Sequence, residues 1–281
     1  MAPAQRRIWL CADDYGISPA VNSAIRELIL RGRLNATSVM TAAPHAGSDE
    51  AAALTNLNSG SKCALLGLHV TLTAPFKPLS EDFAPMRGGQ FLPLKGVMSA
   101  AMMRRLDREQ LAREVATQVQ AFVKTFGRPP DFIDGHQHVH LFPQVRDAVL
   151  RVAAEMAPKA WVRQCGRARS AQRLKGRKEL LIDILSVGFR RKARRLGITT
   201  NPAFAGAYNF SGKPAFATIF PRFLAGLPDG GLIMCHPGFV DAELERLDSL
   251  TYQREREFAY FNSNEFPQAL AEHGVALAAA S

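Results

Sequence analysis

The chain is short of several things, and each shortage excludes something. No stretch approaches the ~18 consecutive apolar residues of a membrane-spanning helix. The opening Met-Ala-Pro-Ala-Gln-Arg-Arg has neither the apolar core nor the small-residue cleavage site of a secretory leader, so the expected compartment is the cytoplasm. The four cysteines, Cys11, Cys63, Cys165 and Cys235, form no Cys-x-x-Cys pair, which removes the usual redox and zinc-ribbon spacings. Cys11, Cys63 and Cys235 lie in or beside apolar runs and read as reduced core thiols. Cys235 and His236 are adjacent, and neighbours on a strand face opposite ways, so they do not make a nucleophile–base pair. Neither Gly-x-Gly-x-x-Gly nor a Walker sequence occurs, and nucleotide-binding folds lose support. No internal repeat or linker divides the 281 residues, a length natural for one α/β barrel.

Acidic residues are scarce in one place. From Arg163 to Arg195 there are twelve Lys or Arg against two acids, Glu179 and Asp183, which accounts for the whole formal charge of +10. The stretch lacks the aromatic interleaving of single-strand nucleic-acid binders, so no nucleic-acid partner is expected. Its apolar run Leu180–Leu185 stands beside Phe189-Arg-Arg-Lys-Ala-Arg-Arg. Such a pairing can rest on an anionic membrane at the inner face. The plainer expectation is a helical excursion over about 165–196 that packs on the barrel or on the second subunit of a homodimer.

What is present is an alternation of strand and helix. Ser18 and Pro19 open a helix with Val21, Ala24, Ile25, Leu28 and Ile29 on one face, closed by Gly32. Strands are expected over 35–42 and 64–71. The segment from Ala74 to Gly96, rich in proline and glycine, reads as a loop over the site. Asp107 caps a helix with a Leu111, Val115, Val119, Phe122 and Phe126 stripe that ends at Gly127. Further strands are expected at 131–136, 159–163, 231–235 and 275–279, with a helix opening at Pro143. The sum is an α/β fold, a parallel sheet either open or closed.

Chemistry-bearing residues gather at the ends of these strands. Ile8-Trp-Leu-Cys-Ala12 closes on two acids, Asp13 and Asp14. Adjacent carboxylates repel, so something must hold both ionised, and a bound cation is the simplest answer. Five of the seven histidines fall in motifs: His69 in Gly-Leu-His-Val, His136, His138 and His140 in Asp134-Gly-His-Gln-His-Val-His, and His236 in Cys-His-Pro-Gly. His45 and His273 read as surface residues. Asp14, His69 and His136 would give one carboxylate and two imidazoles, leaving an open position for water. That set suits one divalent metal ion, magnesium or zinc foremost, with manganese, cobalt and nickel compatible. Asp13 would serve as general base and His236 as general acid. Alternation along a strand would place His136, His138 and His140 on one face, with one a ligand and the others orienting groups or substrate wall. Asp134 could orient a histidine, and Arg163 could orient the base or hold an acidic substrate group.

Asp13-Asp-Tyr-Gly-Ile-Ser18, Gly67-Leu-His69, Asp134-Gly-His-Gln-His-Val-His140-Leu-Phe-Pro143 and Met234-Cys-His236-Pro-Gly resemble, in order and spacing, the YdjC-like carbohydrate deacetylases. That family includes chitooligosaccharide and hopanoid-biosynthesis deacetylases. The resemblance implies a single-domain, distorted TIM-like barrel over residues 1–281 and hydrolysis of the N-acetyl group of an amino sugar, in an oligosaccharide or a glycolipid. It assigns the metal to Asp14, His69 and His136, the base to Asp13 and the acid to His236. Tyr15 stands where Phe is usual in the family, and Gly135-His-Gln137 where Ser-His-His is common. Two other readings are a metal-dependent phosphoesterase, which usually needs more bridging acids, and a basic binding module for membrane or nucleic acid.

Overall fold

The computed structural model of the chain describes residues 5–58, 64–168, 177–211 and 213–280. The expected core thiol at Cys63 and part of the basic stretch, 169–176, lie outside them. In chain order the elements are β1 (Arg6–Tyr15), α1 (Pro19–Leu30), β2 (Ala36–Val39), α2 (Ser48–Leu57), β3 (Leu65–Val70), β4 (Met86–Arg87), β5 (Gln90–Phe91), α3 (Leu94–Met102), α4 (Arg108–Phe126) and β6 (Phe132–Gly135). A 3-10 segment, His136–Leu141, leads to α5 (Val145–Met156), β7 (Trp161–Val162), α6 (Arg177–Arg195), β8 (Phe204–Ala205), α7 (Phe216–Leu224), β9 (Leu232–Cys235), α8 (Ala242–Leu247), α9 (Tyr252–Asn262), α10 (Glu265–Glu272) and β10 (Val275–Leu277).

The main sheet runs β7-β6-β3-β2-β1-β9-β8, every pairing parallel. Parallel strands covered by helices are buried on both faces and read as continuous apolar runs. β1 fits: Leu10 to Tyr15 is buried without a break. Its first half pairs with β10 and its second with β2, along the same edge. Asn35 ties that junction, accepting from Leu10 N at 2.7 Å and donating to Ile8 O and Ala278 O at 2.9 Å. The end strands approach again through Val162 N to Thr199 O (2.9 Å) and Phe204 N to Gly166 O (3.0 Å). The sheet thus curls into the barrel-like α/β fold expected, around one continuous hydrophobic core. Among the described residues no helix is long and apolar enough to cross a membrane.

The helices follow their signals. The Ser18 hydroxyl accepts from Val21 N at 3.2 Å, the Asp107 carboxylate accepts from Glu109 N and Gln110 N, and Gly127 closes α4 at φ 68°. Two expectations are corrected. The 74–96 loop contains the β4–β5 hairpin and the start of α3. It is pinned by α4, where buried Glu114 accepts from Leu79 N and Ser80 N, and its Phe76 ring stands 5.7 Å from that of His136. The strand expected over 131–136 stops at Gly135, and Gln137 (φ 54°) and His138 (φ 60°) turn left-handed. The three histidines therefore lie on a tight turn, not on one strand face.

Candidate metal centre and active site

Consecutive strand residues point to opposite faces, which should part Asp13 from Asp14. The chain solves this with a break in the β1–β2 register between Ala12 and Tyr15, where Asp14 takes φ 70°. Such an irregularity re-aims a side chain, and both carboxylates line one cleft of about 990 Å³ at the C-terminal end of the sheet. His136, His138, Tyr208, Phe210, Lys213, Arg222 and His236 line it too.

Asp14 Oδ1 lies 2.9 Å from His136 Nδ1 and 3.3 Å from His69 Nε2. These three residues offer donor atoms all within 4.8 Å of one another. Donors bound at about 2.1 Å to one cation at tetrahedral or octahedral angles are about 3.0–3.5 Å apart, so the trio fits a divalent ion. The surroundings fit as well. Asp134 Oδ1, 2.6 Å from His69 Nδ1, fixes that ring with Nε2 turned to the centre. A carboxylate behind a ligating histidine is a recurrent feature of metal sites.

The two acids are held by two arginines. Arg163, fully buried after β7, forks onto Asp13 with both contacts at 2.7 Å and meets Asp134 Oδ2 at 2.5 Å. Arg254, fully buried on α9, donates at 2.7 Å to Asp14 Oδ2 and to Asp248 Oδ2. Burial works against both charges. The Arg163 guanidinium nevertheless holds Asp13 well below the usual carboxylate range, and Arg254 with His136 does the same for Asp14. Burial also disfavours charge on His69, but Asp134 and Asp13 push it up to about 10. A bound cation, the simplest answer to the paired acids, is not needed to keep them ionised, because two guanidinium groups already do so. A second acidic cluster, Cys11, Asp13 and Asp134, is filled by Arg163, whose Nη2 is also 3.0 Å from Cys11 Sγ.

His236 follows β9 across the cleft. Its Nε2 is 3.9 Å from Asp14 Oδ2 and its ring stands edge-on to Phe210 at 5.5 Å. Its backbone N–H donates to Glu257 at 2.6 Å. Burial pushes the ring down to about 4, so it is neutral at pH 7 in the free protein. Burial raises Glu257 to about 7, and Tyr208 donates to it at 2.5 Å.

The other expected residues separate. His138 lines the cleft. His140 turns away, its Nε2 3.0 Å from Arg163 O and its ring 5.6 Å from Phe189, and burial pushes it down to about 4. Gly135 is needed beside it, since a Cβ there would come within 2.9 Å of His140 Nδ1. His45 and His273 are half-buried rather than exposed and lie away from the cleft: His45 meets Glu243 at 3.6 Å and His273 Nδ1 the Ala269 carbonyl at 2.9 Å. Cys11, Cys165 and Cys235 are buried free thiols, pushed up by burial. Sequence reasoning missed Arg254, Asp248, Glu257 and Tyr208. The one available signal was the spacing of Gln253, Glu257, Tyr260 and Phe261 on a helical face, which polarity disguises as solvated.

A model of the YdjC-like protein family matches residues 7–272. The chain is 29% identical over 280 residues to the chitooligosaccharide deacetylase of Escherichia fergusonii, covering 97% of each. It is 30% identical over 275 residues to that of Salmonella paratyphi B, covering 96% of each. Among solved structures, an Enterococcus faecalis protein named for cellobiose-phosphate cleavage shares the fold at a TM-score of 0.74, with 20% identity over 98% of both chains. A peptidoglycan N-acetylglucosamine deacetylase matches at 0.50, with 9% identity, over 97% of this chain and 85% of that one.

Proposed function

Because the chain belongs to the YdjC-like protein family, we propose that it is a metal-dependent hydrolase of the cytoplasm that removes the N-acetyl group of an amino sugar. The observation that carries this reading is the convergence of Asp14, His69 and His136 at one point of a cleft that also exposes Asp13 and His236. A divalent cation held by that trio supplies Lewis acidity, making water nucleophilic near neutral pH and polarising the acetyl carbonyl. Magnesium or zinc is the expected ion.

Asp13 takes the proton of the attacking water. The Arg163 fork keeps it ionised even in mild acid, at the cost of a weaker pull on that proton. His236 starts neutral, takes a proton from solvent in the cleft as negative charge develops on the attacked amide, and passes it to the departing amine. Asp13 returns the water proton to solvent, so no net proton is gained. Tyr208 and Phe210 give the cleft a ring-sized apolar wall suited to a sugar face. Filling of the Cys11, Asp13 and Asp134 cluster by Arg163 leaves no second cation site there and weighs against a two-metal phosphoesterase.

Acetate release tests the reading. The purified chain, stripped with a chelator and resupplied with one divalent metal at a time, is assayed on N-acetylglucosamine oligomers and N-acetylated glycolipids. Metal-dependent release of one acetate per free amine formed is expected. No release from any N-acetyl sugar, or release indifferent to chelation, would overturn it.

A further inference from the structure

We propose that the outward face of α6 is a docking surface for an anionic phospholipid membrane, a property that goes beyond the hydrolase reading. α6 is held to the barrel by its inner face. Ile182, Ser186, Phe189 and Ala193, spaced four, three and four residues apart, are buried, and Phe189 seats against His140. The helix thus has a complete packing face, and the opposite side is not used for it.

That opposite side is ordered along its length. Leu180, Ile184 and Val187 are 57%, 61% and 48% exposed, one above the other at i, i+4 and i+7. The same stripe continues at i+11 and i+14 as Arg191 and Arg194, flanked by Arg195, all exposed. Among the described residues these three arginines make no ion pair. The basic groups turned toward the barrel differ: Lys192 meets Asp147 at 2.7 Å and Arg190 leans on Gln164 at 3.4 Å. Exposed aliphatic side chains beside unpaired arginines match the interfacial region of an anionic bilayer, which takes apolar groups below the headgroups and cations among them. A second copy of the chain would bring the same arginines, so like charge opposes self-association through this face. Nucleic acid would find no aromatic side chain on the stripe to stack upon.

Vesicle co-sedimentation of the full-length chain tests the proposal, with vesicles of phosphatidylglycerol and phosphatidylcholine against phosphatidylcholine alone. Binding to the anionic vesicles, weakening from 50 to 500 mM salt, is expected. The Arg191→Gln/Arg194→Gln/Arg195→Gln variant should lower partitioning on the order of a hundredfold, and Leu180→Ser/Ile184→Ser/Val187→Ser should lower it with the charges intact. Both sets are exposed, and an unchanged melting temperature excludes misfolding as the cause. Absence of binding at 50 mM salt, equal binding to neutral vesicles, or partitioning untouched by both variants overturns the proposal. So does a dimer in solution that the Ser variant splits, or a single-stranded oligonucleotide held more tightly than the vesicles. Acetate release from a soluble oligosaccharide should be the same in all variants, which keeps this test apart from that of the hydrolase reading.

Discussion

The Asp13 network and the Asp14 network begin one residue apart and differ in what they leave free. Around Asp13 both carboxylate oxygens are occupied by the Arg163 fork, and the same guanidinium serves Asp134. Around Asp14 the arginine takes one oxygen and divides itself with Asp248, while the other oxygen faces His69 and His136. The first arrangement is saturated with guanidinium contacts, although its carboxylate still borders the cleft. The second presents a spare lone-pair set to two imidazoles, which is what a cation requires and what a saturated pair cannot give. Identical side chains on one strand thus acquire different chemistry from which arginine meets them and with how many contacts.

The comparison breaks most visibly in turnover. Asp14→Asn should strip the metal and cost more than the 10²–10⁴ in rate that losing one acid or base costs. Asp13→Asn should fall within that range and keep the metal. Elemental analysis beside acetate release checks both. Equal metal loss in the two variants would make Asp13 a ligand and erase the difference.

The arginines come next. Removing one partner of a buried ion pair costs about 3–5 kcal/mol. Arg163→Gln should lie at the upper end, since Asp13 and Asp134 are both buried, and Arg254→Gln lower, because the Asp248 side chain is 18% exposed. Saturating divalent metal should restore part of the lost stability in Arg254→Gln, where Asp14 regains a positive neighbour, and much less in Arg163→Gln. Thermal melts with and without metal decide it. Equal rescue would mean that the two networks act as one.

The sequence made much of this legible, and what it hid has separate physical causes. Strand ends, the Ser18 and Asp107 caps, and the gathering of Asp13, Asp14, His69, Asp134, His136, Arg163 and His236 at one end of the sheet follow from apolar runs and local signals. Arg254 does not, because its burial depends on an acid 240 residues away and its helix reads as polar. The His136–His140 turn was hidden for the opposite reason. Alternating histidines imitate a strand, whereas contacts with Arg163 and Phe189 bend the chain into a left-handed turn. α2 and α3 escaped notice because they are short, and α3 begins beside the prolines and glycines that mark loops.

A smaller effect separates the networks by pH. His140 rests against the Arg163 carbonyl on the saturated side, its pKa depressed by burial to about 4. The unfolded chain binds that proton near 6.5, so the folded state loses stability as pH falls from about 6.5 through 4, by up to about 3 kcal/mol. His140→Gln can still donate to that carbonyl and should flatten part of this acid limb. His236, depressed in the same direction, steepens the limb, while Glu257 and His69, raised to about 7 and about 10, oppose it. Denaturant midpoints at pH 4.5 and 7.5 measure it, and an acid limb as steep as in the parent would remove His140 as a cause.

The smallest effect is expected one residue further along β1, where Tyr15 occupies the position usually filled by Phe in the family. The ring is buried, but its hydroxyl reaches outward, donating to Glu50 O at 2.7 Å and accepting from Arg26 at 2.8 Å. Arg26 and Glu50 are paired with each other and about a quarter exposed, so both can turn to water when the hydroxyl is removed. A hydrogen bond whose partners rehydrate contributes about 1 kcal/mol or less. Tyr15→Phe should therefore lower the melting temperature by only a few degrees, leave metal content unchanged and keep acetate release within about twofold. The bulge that aims Asp14 lies between Ala12 and Tyr15, and the aromatic ring that anchors its far side is retained in Phe. A tenfold loss of rate or a drop in bound metal would show that the hydroxyl helps set the bulge. The chemistry of β1 would then extend past its two carboxylates.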